Sequence, residues 1–133
     1  MKIENEFVDY NTALALKKLG FDEPCILLYR SLDTQPVCQI GYDFKTEKNS
    51  DYNDVTNYWL TVPLFSQVFN WFRDKYDLDS TIALVGNGYG FYIHKNRNYT
   101  NKGENYGMYI TYKEAELECL KKLTEIINEN KKN

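Results

Sequence analysis

The dipeptide Asn87-Gly88 constrains the fold of this chain more than any other feature of its sequence. It lies between two runs rich in strand-forming residues, STIALVG and YGFYIHK. Asn and Gly best tolerate the positive φ angles of a two-residue type I′ turn. The pattern therefore predicts a β-hairpin with its turn at Asn87-Gly88. A nucleotide-binding glycine loop at GNGYG is disfavoured, because such a loop is followed by a helix and here a strand follows.

The first of three predicted helices covers Tyr10–Leu19. Its start has two candidate caps, Asp9 and Asn11, and Gly20 supplies the left-handed residue at which helices end. The second helix follows Pro63, which suits a first helical turn. One face of this second helix repeats apolar residues at helical spacing and is expected to be buried. That face comprises Phe65, Val68, Phe69, Phe72 and Tyr76.

The third predicted helix is the last element of the chain. Thr111 and Glu114 form the T-x-x-E pattern of a capping box, which satisfies free amide groups at a helix start. An apolar stripe at helical spacing follows, and the polar residues 128–133 after it are expected to fray. The stripe comprises Ala115, Cys119, Leu120, Leu123, Ile126 and Ile127.

Two apolar runs between the first and second helices predict another hairpin. They are CILLYRSL and VCQIGYDF, separated by a break at Thr34-Gln35-Pro36. A further short strand, YGMYI, precedes the last helix. The order of elements is therefore α-β-β-α-β-β-(β)-α. It predicts a single α+β domain over residues 1–133, with about three helices packed on an antiparallel sheet of about four to five strands.

The charge balance and the hydropathy of the chain exclude several classes of partner. Sixteen Lys and Arg residues against 19 Asp and Glu residues give a net charge of −3, without the basic excess that drives binding to duplex nucleic acid. No apolar run approaches the roughly 20 residues that span a bilayer, and the N-terminus lacks a signal-peptide pattern. We therefore expect a cytoplasmic protein with no membrane partner. The polar segment 45–57 has no periodicity and is expected to be an exposed loop.

Residues that could carry metal or redox chemistry lack the necessary spacing. Cys25, Cys38 and Cys119 are far apart in apolar contexts, where a free Cys packs as a small hydrophobe. The acidic run from Asp51 lacks the glycine and the final glutamate of an EF-hand loop. His94, the only histidine, has no second His or Glu at a ligand spacing. We therefore expect no metal, no cofactor and no catalytic residue.

The stretch from Tyr92 onward collects aromatic and cationic side chains. Tyr92 and His94 lie on the more polar face of the predicted strand, and cations with another tyrosine follow in the next loop. Rings that stack on a base, beside cations that meet phosphate, are what nucleotide binding requires. The alternative is a solvated, tyrosine-rich sheet face beside a charged loop. The candidate ligand-binding residues are Tyr92, His94, Lys95, Arg97, Tyr99 and Lys102.

Trp71 and Arg73 lie off the expected buried face of the second helix. An exposed aromatic residue beside a cation is typical of protein interfaces, so both are candidate protein-interface residues. The alternative for both is partial packing under the 45–57 loop. A homo-oligomer paired through the tyrosine-rich sheet and the long last helix also fits the sequence.

Three blocks of the sequence, FVDYNTALALKKLGFDEPC, VPLFSQVFNWFRDKYDL and TYKEAELECLKKLTEIIN, carry a family resemblance. They resemble small proteins of Bacteroidota and of their tailed phages, including crAss-like phages, a family from which no activity or catalytic residue can be carried over. The resemblance implies a phage accessory protein that acts by binding. One expectation is a non-enzymatic counter-defence protein that sequesters a nucleotide-derived signal. The other is a protein-interaction module that inhibits or scaffolds a host or virion protein.

Overall fold

The protein, in a computed structural model, divides into two compact units, Met1–Leu64 and Phe65–Asn133. The described residues form three α-helices, one 3-10 helix and six strands, so the α+β class is confirmed. The expectation of one domain over residues 1–133 stays a prediction. The structure describes residues 3–32, 35–40, 59–95 and 104–131.

The first unit contains one helix and one antiparallel sheet, in which β1 lies between β2 and β3. A 3-10 helix precedes them at Ile3–Glu6, and the backbone amide of Val8 donates a hydrogen bond of 3.0 Å to the carbonyl of Pro63. The elements of this unit are α1 (Tyr10–Leu19), β1 (Leu27–Leu32), β2 (Gln35–Ile40) and β3 (Trp59–Val62).

Helix α1 has the boundaries that the sequence predicts. Of the two candidate caps, Asp9 is the one used, because its Oδ1 accepts a 2.8 Å hydrogen bond from the backbone amide of Thr12. At the other end, Gly20 adopts a φ of 97° and its amide donates to the carbonyls of Leu16 and Lys17. This left-handed cap satisfies carbonyls that the helix itself leaves unpaired.

Two features of the first sheet differ from the sequence prediction. Strand β3 was missed because Trp59–Val62 is only four residues long and runs directly into Pro63. Strand β2 begins at Gln35, so Pro36 lies inside the strand and not in a break, opposite Ser31 of β1. Proline is tolerated there because β2 is an edge strand among the described residues, where one side of the backbone needs no partner.

The second unit contains two helices and a second antiparallel sheet, in which β5 lies between β4 and β6. The division into two sheets differs from the single sheet expected from the sequence. Local patterns indicate which neighbouring strands form a hairpin, but not whether two hairpins share a sheet. The elements are α2 (Phe65–Tyr76), β4 (Leu78–Val85), β5 (Gly88–Lys95), β6 (Glu104–Tyr109) and α3 (Tyr112–Lys131).

Helix α2 buries most of the face that its periodicity predicts. Phe65, Val68 and Phe72 are buried, whereas Phe69 and Tyr76 are half-buried. A single residue, Asp77, then joins α2 to β4. It has a positive φ of 55°, and its amide donates a 3.1 Å hydrogen bond to the carbonyl of Arg73.

The β4–β5 hairpin is confirmed, but its turn lies one residue earlier than predicted. Val85 pairs with Gly88, so the loop residues are Gly86 and Asn87. Gly86 has a φ of 60° and Asn87 keeps a negative φ, which is the pattern of a type II′ turn and not of a type I′ turn. Gly88 is required elsewhere, because a Cβ at this position would lie 2.6 Å from the carbonyl oxygen of Tyr109 in β6.

Helix α3 begins with the predicted capping box. The amide of Glu114 donates to the Thr111 hydroxyl at 3.1 Å, and Glu114 Oε2 accepts from the amides of Ile110 and Thr111. The expected stripe is buried except for Ile126, which is half-buried. The helix continues to Lys131, through residues that were expected to fray.

Other sequence-based expectations are settled only in part. None of the described helices combines the length and the hydropathy that a bilayer crossing requires. Cys25 and Cys119 are buried free thiols, as expected. The predicted loop 45–57 and the final residues 132–133 lie outside the described residues, as does the side chain of Cys38.

Burial in the core strongly perturbs the ionisation of Cys119. Burial raises the pKa of its thiol to about 12. A hydrogen bond with Ser80 acts in the opposite direction, and the charge of Glu116 raises the pKa further. A thiol with this pKa stays protonated at neutral pH and is a poor nucleophile.

Replacement of Gly88 by Ala tests the close approach of β5 to β6. We expect Gly88→Ala to lower the free energy of unfolding by about 1 to 3 kcal/mol, because the new methyl group overpacks the strand contact. Asn87→Ala, an exposed position with negative φ, is the control and is expected to stay within about 0.5 kcal/mol of the wild type. Urea unfolding measures both variants. Equal stabilities would contradict the contact.

Stability at alkaline pH tests the burial of Cys119. Because its folded pKa exceeds the unfolded value of 9.0, its contribution to stability is complete below pH 9 and is lost as the pH rises toward about 12. From about pH 8 to about pH 10.5, the wild type is expected to lose on the order of 2 kcal/mol more than Cys119→Ala loses. Urea unfolding at both pH values gives this difference. The same pH dependence in both proteins would rule the effect out.

Candidate ligand-binding face

The candidate site lies on one face of the second sheet. Residues directly opposite each other in an antiparallel pair have side chains on the same face. Tyr92 of β5 lies opposite Thr81 of β4, and His94 lies opposite Asp79. We call Asp79, Thr81, Tyr92 and His94 the polar face of this sheet.

The other face of the sheet belongs to the core. Phe91 and Ile93, which alternate with the polar-face residues along β5, are buried. The Phe91 ring stacks on Tyr109 of β6 with a centroid distance of 6.1 Å. Ser80 of β4 hydrogen-bonds to Cys119 of α3, so this is the face on which α3 packs. The alternation predicted for β5 is therefore confirmed.

Tyr92 and His94 are half-buried rings with unused polar atoms. Within the described part of the chain, no hydrogen bond or ion pair involves the Tyr92 hydroxyl or the His94 imidazole. Buried polar atoms are normally satisfied by protein or by water. The polar atoms of these two side chains are thus available to solvent or to a ligand.

Asp79 is held in place by a cation from α2. Arg73 Nε donates a hydrogen bond to Asp79 Oδ1, and Arg73 Nη1 donates to Asn70 Oδ1 at 2.8 Å. The side chains of Arg73 and Asp79 are 38% and 31% exposed, respectively. The pair therefore lies at the solvent boundary, where Arg73 fixes the orientation of a carboxylate beside His94.

Trp71 is not the exposed interface residue that the sequence predicts. Its side chain is 7% exposed. The indole ring packs edge-to-face against Phe72 at 5.1 Å and against Tyr76 at 5.3 Å, and Lys75 Nζ lies 5.1 Å from its centroid. The physical reason is that helical spacing considers only the direction of a side chain. A large aromatic ring can also be buried by packing against neighbouring rings of its own helix. Of the proposed pair, only Arg73 reaches the surface.

The remaining predicted ligand-binding residues are only partly placed by the structure. Lys95 is exposed at the end of β5, but it lies opposite the buried Leu78, on the side of the strand away from Tyr92 and His94. Arg97, Tyr99 and Lys102 lie outside the described residues. Of the predicted ligand-binding residues, the structure thus brings Tyr92 and His94 together on the polar face.

Asp79 and Thr81 are members of this face that the sequence interpretation missed. A turn at Asn87-Gly88 would place Thr81 opposite His94. Asp79 of β4 would then lie opposite a position beyond Lys95, the last residue of β5. The observed turn shifts the register, so Asp79 lies opposite His94. A Gly-Asn-Gly sequence allows either turn, and only the contact of Gly88 with β6 distinguishes them.

The described residues contain no group of three or more His, Cys, Asp or Glu side chains that could hold a metal ion. Cys119 is buried, and Cys25 Sγ donates to the carbonyl of Glu23 at 3.4 Å. The polar face presents two rings, one oriented carboxylate and the hydroxyls of Thr81 and Tyr92.

Comparison with known proteins gives no relative whose function could be carried over. No protein-family model matches the chain, and no curated protein or solved structure matches it significantly. The resemblance to small proteins of Bacteroidota and their tailed phages stays a prediction.

Proposed function

We propose that the protein is a non-enzymatic accessory protein of phage or prophage type that binds and sequesters a nucleotide-derived signal, as a counter-defence protein. The observation that carries this proposal is the pair Tyr92 and His94. Both rings lie on the polar face of the second sheet, half-buried, with polar atoms that no described residue satisfies.

The physical basis of binding is stacking on a rigid platform. Tyr92 and His94 belong to β5, the central strand of the second sheet. The backbone of Tyr92 lies between Thr81 of β4 and Asn105 of β6, and His94 lies opposite Asp79 of β4. Binding costs less entropy when the backbone that carries the ring is already ordered, and a stacked base contributes about 1 to 3 kcal/mol. Such a surface suits a base or another flat heterocycle.

Phosphate groups require cations near the stacked base. Lys95 is exposed at the end of β5, on the side of the strand away from Tyr92 and His94. In the sequence, Arg97 and Lys102 come next, and we assign them with Tyr99 to the same site. Lys and Arg side chains are the usual protein contacts of phosphate. The proposed ligand thus places its base over β5 and its phosphates toward the segment after Lys95.

The phage assignment rests on the sequence resemblance. A phage accessory protein that has no catalytic centre can act by titrating a host signal, and this requires tight binding without turnover. Sequestration of a nucleotide signal is the simplest activity that is consistent both with a phage accessory protein and with the aromatic residues of the polar face.

Isothermal titration calorimetry with cyclic dinucleotides and ADP-ribose derivatives tests the proposal. We expect at least one of these ligands to bind, and Tyr92→Leu to weaken its binding by about tenfold or more, because one stacking contact is lost. Asp74→Ala, an exposed change on α2, is the control and is expected to bind as the wild type does. An absence of heat with every ligand in the series would refute the proposal.

A second candidate function is a protein-interaction module that inhibits or scaffolds a host or virion protein. With Trp71 buried, a different surface favours it. Leu84 lies opposite Tyr89 near the β4–β5 turn, and the Tyr89 ring contacts Tyr112 at the start of α3. The exposed apolar side chains around this end of the sheet are Leu84 (73%), Met108 (64%), Ile110 (84%) and Tyr112 (46%).

Exposed apolar side chains are typical of protein-binding surfaces. If the protein acts as an interaction module, affinity capture from bacterial lysate should recover a stoichiometric protein partner. The double variant Leu84→Ser/Ile110→Ser should lose that partner and keep the wild-type melting temperature, since both residues are exposed. A partner retained by the double variant would exclude this surface. Tyr92→Leu is the matched control and is expected to keep the partner.

A further inference from the structure

Asp79 belongs to the polar face and forms an ion pair with Arg73 of α2. Asp79 lies directly opposite His94 on the same sheet face, where opposite Cβ atoms are separated by about 4.5 to 5.5 Å. Asp79 is therefore within the reach of any ligand that touches the His94 ring. A carboxylate at this place needs an explanation, because it repels the phosphates of a nucleotide.

The carboxylate of Asp79 is oriented and still has capacity to accept hydrogen bonds. An ionised carboxylate has two oxygens and about four acceptor positions. Arg73 Nε occupies one position on Oδ1, and no other described residue donates to this side chain. With 31% of the side chain exposed, the remaining positions face solvent.

Arg73 fixes the orientation of this carboxylate. Its Nη1 is fixed by Asn70 one helical turn earlier, at 2.8 Å. The guanidinium thus connects α2 with β4 and limits the rotation of Asp79. It also compensates the charge of the carboxylate, which weakens repulsion of an anionic ligand nearby.

We propose that Asp79 recognises the ribose of the ligand by accepting hydrogen bonds from its vicinal 2′ and 3′ hydroxyls, and that Arg73 is the positioning residue for this contact. The proposal rests on the function proposed above and narrows its ligand class. An acidic side chain that accepts from ribose hydroxyls is a known solution in dinucleotide-binding sites. Two adjacent hydroxyls match a carboxylate that presents several acceptor positions in a fixed orientation.

This geometry favours ligands with an intact diol over ligands without one. A ribonucleotide of the ADP-ribose type keeps both hydroxyls free, whereas a 3′,5′-linked cyclic dinucleotide uses the 3′ oxygen in its phosphodiester. The inferred ligand is thus a ribonucleotide whose sugar carries a free diol.

Equilibrium binding of ADP and of 2′,3′-dideoxy-ADP tests the inference. The wild type is expected to bind ADP at least about tenfold more tightly than 2′,3′-dideoxy-ADP, because hydrogen bonds to a charged acceptor are stronger than hydrogen bonds between neutral groups. Asp79→Ala should reduce this preference to near unity, and Asp79→Asn should give an intermediate preference while it keeps the shape of the side chain. Arg73→Gln should lower the preference and Arg73→Lys should restore part of it, whereas loss of a purely structural contact would leave the ratio unchanged.

The outcomes separate the two proposals. Equal binding of both nucleotides by the wild type, or a full preference in Asp79→Ala and Asp79→Asn, would overturn the ribose contact and leave the signal-binding function intact. If neither nucleotide binds, the ribose contact is overturned. The signal-binding function is also refuted only if the cyclic dinucleotides and ADP-ribose derivatives give no binding heat either. Asp74→Ala is again the control, and thermal melting confirms that each variant is folded.

Discussion

A carbon atom added at Gly88 would lie 2.6 Å from the carbonyl oxygen of Tyr109, so the approach of β5 to β6 at this position leaves no room for a side chain. This contact uses the glycine that could otherwise have formed the hairpin turn, and the turn is made by Gly86 and Asn87 instead. A shift of one residue in a turn changes every cross-strand neighbour along the hairpin. The pairing of Asp79 with His94, and with it the composition of the polar face, follows from a steric limit at the opposite end of the strand.

The elements that depend on local chemistry could be predicted from the sequence. Asp9 and Gly20 bound α1, and Thr111 with Glu114 begins α3, because caps satisfy backbone groups of residues close by in the chain. The two-sheet arrangement and the exact register could not be predicted, since both depend on contacts between residues far apart in sequence. Trp71 was misplaced for a related reason: helical spacing gives the direction of a side chain, whereas its burial depends on what packs around it.

The polar face combines two rings with an oriented carboxylate. The rings belong to the central strand of the second sheet, and the carboxylate is fixed by a cation from the preceding helix. Asp79 could not be assigned to this site from sequence because its neighbour across the hairpin depends on the register. The exposed apolar side chains lie toward the β4–β5 turn, whereas His94 lies near the other end of β5, so the proposed nucleotide and the proposed protein partner would contact different residues.

The single-residue connection at Asp77 affects how the Arg73–Asp79 pair is assembled. Arg73 and Asp79 are separated by six positions in the chain, and the left-handed φ of Asp77 turns the end of α2 directly into β4. Closing so short a loop costs little entropy. The Arg73–Asp79 contact is therefore local in sequence and can form once α2 and β4 have formed. The orientation of the Asp79 carboxylate does not depend on residues far away in the chain.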